Sequence, residues 1–130
     1  MMQISCKRVL GSLSVASLLL VSPAYAGVLD ITGEYGDQLG CEYAKTKEYR
    51  GDESMTLLTA DGYESFVTAC QFLQSLPAQD GSHVLTMLCG HEGDAAQTIE
   101  FMRIVKTPDI DAYELFSQVG DLFASVKRCS

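Results

Sequence analysis

The densest group of chemistry-bearing residues in the chain is the run Cys89-Gly90-His91-Glu92-Gly93-Asp94. One imidazole, two carboxylates and a reduced thiol are donors that zinc accepts in its four-coordinate sites. Residues so close in sequence converge on one ion only when the loop wraps around it, and the only other histidine is His83. A solvated polar turn accounts for the run equally well, so no metal and no cofactor is expected. His91 beside an acid also suits proton transfer, but such a pair needs a nucleophile within reach, and the sequence singles none out. The chain has no C-x-x-C, no G-x-S-x-G, no H-E-x-x-H and no phosphate-cradling glycine loop. Its seventeen acids would supply the two carboxylates of glycosidic chemistry, yet no spacing identifies a pair. The residues point to a binding protein without catalytic residues.

The cysteines carry a different chemistry. Residues 1–26 read as a cleaved secretory signal: Lys7 and Arg8 form a positive start, an apolar run follows from Val9 to Val21, and Ala24 and Ala26 stand at an A-x-A cleavage site. Cleavage removes Cys6 and leaves Cys41, Cys70, Cys89 and Cys129, an even set in an exported chain, for which two disulfides are the default. Sequential pairing, Cys41–Cys70 with Cys89–Cys129, is favoured. Its rival is Cys70–Cys89 with Cys41–Cys129, which requires a directly opposed cross-strand bridge and therefore demanding geometry. The mature domain is placed in the periplasm or outside the cell. No later stretch is long and apolar enough for a helical membrane span, so no integral membrane segment is expected in it.

Charge narrows the partners. Loss of Lys7 and Arg8 leaves seven basic residues against seventeen acidic ones, a formal charge of −10 in place of −8. Such a surface repels nucleic acid and anionic lipid and favours encounter with a cationic protein.

The elements that position these residues read as one domain, residues 27–130, mainly β: a small antiparallel barrel or sandwich stapled by two disulfides. Strands are expected over Asp30–Tyr35, Met55–Thr59, Tyr63–Phe72 and Thr98–Val105. Asp61-Gly62 marks a tight hairpin turn, and Pro77 with Asp80-Gly81 marks a second one whose arms bring Cys70 and Cys89 near each other. Residues 40–52 read as an extended element followed by an exposed loop. The final segment stays open. Ala112, Leu115, Phe116, Val119, Leu122, Phe123 and Val126 recur at helical spacing, whereas Gly120-Asp121 divides the segment into two stretches that can alternate as strands.

An exported leader, about a hundred residues, two disulfides and hairpin-forming strands, with the short matches "GEYG", "GCEY", "TACQF", "LCG" and the final "KRC", resemble the small bacterial periplasmic inhibitors of host lysozymes. That resemblance implies a compact antiparallel barrel that presents polar loops to the muramidase cleft of a c-type or g-type lysozyme and inhibits by occlusion. The chain lacks the glycine- and serine-rich inhibitory stretch, followed by lysine and tyrosine, of the c-type inhibitors, so no residue role carries over from them. The loops around Tyr63 and Glu64 and around Glu92 and Asp94 are the candidate partner-binding surfaces. An envelope structural or interaction protein is the alternative. A small-ligand carrier, with Phe101, Met102, Leu115 and Phe116 lining a pocket, is a further class.

Overall fold

The computed structural model describes residues 27–50 and 55–130; the leader read from the sequence lies outside the described residues. Eight antiparallel strands form a closed barrel in simple chain order. They are β1 Tyr35–Gly36, β2 Thr56–Leu58, β3 Gly62–Ser65, β4 Thr68–Pro77, β5 His83–His91, β6 Thr98–Lys106, β7 Ala112–Ser117 and β8 Leu122–Arg128. The two-residue β1 closes the barrel by pairing with β2 on one edge and β8 on the other. One helix, α1 Gln38–Thr46, follows β1 and packs against β1 and β2.

The barrel form of the expectation holds, as do the hairpins at Asp61-Gly62 and Asp80-Gly81 and the strand from Thr98. Four local readings are corrected and the final segment, left open, is settled; the first correction is the strand expected over Asp30–Tyr35, which is only Tyr35–Gly36 because the chain before it turns to plug the barrel end. Residues 38–46 are helical, because Asp37 caps them by accepting a hydrogen bond from the Gly40 amide at 2.7 Å and Lys47 ends them in the left-handed conformation. The stretch 63–72 is two strands, β3 and β4, joined by a two-residue turn at Phe66-Val67. The last segment is the β7–β8 hairpin, since Gly120 takes a positive φ of 93° in the connecting turn and leaves each arm too short for a packed helix. The disulfides are Cys41–Cys129 and Cys70–Cys89, the rival pairing. The register sets Cys70 directly opposite Cys89, with Cα atoms 4.0 Å apart, and the bridge spans the hairpin inside the barrel.

The packing follows the strand period of two. Phe72, Leu85, Met87, Cys89, Met102, Ile104, Leu115 and Val126 face inward and are almost wholly buried, while Gln71, Phe101, Arg103 and Lys127 between them face out. Eight strands leave an interior that side chains nearly fill. α1 sits tightly on the wall: a Cβ on Gly40 would lie 1.9 Å from the Thr56 carbonyl oxygen, so glycine is required there.

Chain order assigns the two ends. The turns at 59–61, 78–82 and 107–111 gather at one end and those at 66–67, 92–97 and 118–121 at the other. The first end is plugged. Leu29 is buried there and bonds the Ala60 carbonyl through its amide at 2.9 Å, with Ile31 packed beside it. Arg128 fastens the plug by donating to the Thr32 carbonyl at 2.6 Å, to the Tyr35 hydroxyl at 2.7 Å and to Asp111. The Tyr35 hydroxyl donates in turn to Asp111 at 2.8 Å. Burial, then that carboxylate, pushes the Tyr35 hydroxyl up to about 12, so it stays a neutral donor.

Candidate functional site

The opposite end is open. β7 runs alongside β6 only as far as the Met102–Ser117 pair, so Thr98–Phe101 have ladder partners on the β5 side alone among the described residues. That shortfall leaves a notch in the wall, and a cavity of about 580 Å³ occupies it and the barrel mouth.

Two layers of inward-facing side chains line the mouth. The inner layer is apolar: Tyr63, Met87 and Met102, with the Cys70–Cys89 bridge between them. Tyr63 meets Phe123 edge-on at 5.8 Å between ring centroids. The outer layer is a polar collar of Ser65, Thr68, His91, Thr98 and Glu100, drawn from four strands. Its members hold one another. The Thr68 hydroxyl and His91 Nδ1 are 2.8 Å apart, and His91 Nε2 stands 2.5 Å from Glu100 Oε1. Thr98 donates to the same Glu100 oxygen at 2.7 Å. With Nε2 carrying the proton, every bond is satisfied: Thr68 donates to Nδ1, and His91 donates to the carboxylate. Burial raises the proton affinity of Glu100, but the hydrogen bonds from Thr98 and His91 outweigh it and hold the carboxyl below its usual range. Glu100 is therefore an anion at neutral pH. Among the described residues no Lys or Arg lines the cavity.

Beside the mouth, on the outer surface, lies a second concavity of about 370 Å³, open to solvent. Tyr43 of α1, Tyr49, Glu64, the Phe66-Val67 turn and Glu92 form it. Phe66 and Val67 are each 45% exposed. Gly and Asn dominate two-residue hairpin turns because the favoured geometries need positive φ, yet here two bulky apolar residues occupy the turn and neither has positive φ. Phe66 stacks on Tyr49 with ring centroids 5.0 Å apart, and the Val67 carbonyl accepts from the Glu92 amide at 2.8 Å, which ties the turn to the next loop. Tyr43 donates a hydrogen bond to Glu64, whose charge is the first cause of its raised hydroxyl pKa.

The four partner-binding residues expected from sequence are thus divided. Glu64 and Glu92 share the outer groove. Tyr63, on the opposite face of β3 from Glu64, points into the mouth, where burial raises its hydroxyl pKa against opposing hydrogen bonds with Ser65 and Thr56. Asp94 is exposed in the loop after β5, its amide donating to the His91 carbonyl at 3.1 Å. The Asp61-Gly62 turn lies at the plugged end. His91 faces the interior while Glu92 and Asp94 leave it, and among the described residues no group of three or more His, Cys, Asp and Glu side chains gathers as a metal site. Of the pocket residues considered for a carrier, Phe101, Met102 and Phe116 together line a concavity of about 320 Å³ beside the notch, with Arg103 5.2 Å from the Phe116 ring centroid, and Phe101 and Met102 also line the mouth; Leu115 is sealed in the core. The polar collar was missed. Thr68, His91 and Glu100 are far apart in sequence, and the available signal was the parity that sets Glu100 on the same face as Met102 and Ile104.

The chain matches no protein-family model, no curated protein and no solved structure. No helix among the described residues is long and apolar enough to cross a membrane.

Proposed function

We propose that this protein is a non-catalytic binding protein of an oxidising compartment that covers the binding cleft of a cationic protein, with a c-type or g-type lysozyme as the partner. The observation that carries the reading is the exposed Phe66-Val67 turn held between Glu64 and Glu92. Productive interfaces place a rigid aromatic anchor at the centre and charged groups at the rim. Stacking on Tyr49 restrains the Phe66 ring before a partner arrives, which lowers the cost of ordering it. Glu92 and Asp94 provide carboxylates for basic groups around a cleft, and the net negative charge speeds encounter. Tyr63 supports the turn's strand from inside. Two disulfides suit an exported protein.

The test is binding of oxidised residues 27–130 to c-type and g-type lysozymes, with muramidase activity measured alongside. Saturable binding with loss of activity is expected for at least one class. Phe66→Ser should weaken it about tenfold or more, as truncation of a central anchor does. Glu92→Gln should chiefly slow association and flatten its salt dependence. No saturable binding to either class removes the lysozyme reading.

A further inference from the structure

The barrel mouth is a separate site, and its lining specifies a ligand. A volume of about 580 Å³ falls within the range of small-molecule pockets, about 300–1,000 Å³. Its floor is apolar, built from Tyr63, Met87, Met102 and Phe123, and its collar is polar. The collar's only carboxylate, Glu100, uses one oxygen: both His91 and Thr98 bond Oε1. Oε2 has no protein partner among the described residues, and the side chain is 36% exposed to the cavity's solvent. An anion so placed, fixed by two donors and with no Lys or Arg among the described residues lining the cavity, has an unused acceptor facing a ligand-sized space.

We infer that the open barrel end binds an amphipathic organic cation, its ammonium group on Glu100 Oε2 and its apolar body on the Met87, Met102 and Tyr63 floor. His91 and Thr98 are positioning residues that fix the carboxylate, and Thr68 fixes His91. The notch beside Thr98–Phe101 gives a chain longer than the cavity a way out, over the exposed Ile99 and Val119 side chains. Ser65 and Thr68 border both this site and the outer groove, but the chemistry at Glu100 is internal to the barrel, while Glu64, Phe66 and Glu92 face the groove.

The probe is decylamine, protonated at neutral pH, titrated below its aggregation concentration into oxidised residues 27–130 by calorimetry. Decanoate and decanol, of equal chain length, serve as comparators. One molecule of decylammonium should bind per barrel, about tenfold or more tighter than either comparator, and Glu100→Gln should erase that preference, since a charge-assisted hydrogen bond carries this much. Amide chemical-shift changes on titration of the unaltered protein should centre on Tyr63, Met87, Glu100 and Met102, a readout that does not depend on how the variant folds. Equal affinity for the cation and the anion, shifts confined to the Tyr43–Glu92 groove, or binding without saturation would each overturn the inference.

Discussion

Asp80 shows how a single surface side chain sets the acid behaviour of a turn. Its carboxylate accepts from the Ser82 hydroxyl at 2.5 Å, from the Ser82 amide at 3.0 Å and from Arg103 at 3.0 Å. Those bonds, the Ser82 hydroxyl first, hold its pKa down to about 2 from an ordinary 3.8. A carboxyl with a lowered folded pKa stabilises the fold above its unfolded value and loses that contribution as pH falls through the folded one. The window for Asp80 is therefore 3.8 down to about 2. Asp111, held down by Arg128 and Tyr35, and Glu100 add to the same acid limb. In Asp80→Asn, which keeps an acceptor for Ser82 but cannot titrate, urea midpoints measured from neutrality to about pH 2 should fall less steeply below pH 3.8 than in the unaltered protein. An unchanged slope would mean that the turn's bonds do not survive in solution.

At the scale of elements, the two disulfides do different work. Cys70–Cys89 ties strands that already share a nine-pair ladder, across a separation of 19 residues. Cys41–Cys129 joins α1 to the residue after β8 across 88 residues and secures the two-residue β1 between them. In the chain-entropy account the longer loop contributes about 1 kcal/mol more. Removing Cys41 and Cys129 together should lower unfolding free energy by about 4–5 kcal/mol on that account, and should expose the α1 amides to hydrogen exchange while the β4–β5 amides stay protected. The Cys70/Cys89 double variant should leave α1 protected.

What was legible among the elements follows local chemistry. Asp-Gly dipeptides announced two hairpins because their φ requirement is local. Phe66-Val67 carries no turn residue, so β3 and β4 read as one strand until pairing of Ser65 with Thr68 set the turn between them. α1 read as extended because its apolar positions are few; Asp37 ahead of it and Lys45 in its last turn were the signals that could have found it. The disulfide pairing depended on β4–β5 register, which no single segment encodes. The helical spacing in residues 112–126 is a coincidence of two short strands divided at Gly120-Asp121: Leu115 and Val126 face the core, whereas Val119, Leu122 and Phe123 are exposed.

At the scale of the whole molecule the two ends differ in form, one plugged and one open, and both carry acids. Asp61, Asp80, Asp109 and Asp111 lie in the turns of the plugged end, where Arg103 pairs with Asp80 and Arg128 with Asp111, while Glu92, Asp94, Glu100 and Asp121 lie at the open end. Net charge was readable in the sequence; its placement was not, because which end a residue joins depends on strand direction. The same holds for the candidate sites. Glu64 and Glu92 meet only because β3 and the loop after β5 end together, and Tyr63 departs from them only because the strand alternates. On the proposed function, the open end, with the Phe66 groove beside it, is the face that a cationic partner approaches, and the plugged end the face that it leaves free. The most direct measurement is the footprint of a bound lysozyme on the isotope-labelled barrel, read from amide shifts and their reversal by salt. The account predicts shifts at Glu64, Phe66, Val67 and Glu92 that weaken as ionic strength rises, with none around Asp80, Lys106 and Asp111. A footprint on the plugged end, or none with either lysozyme class, would contradict it.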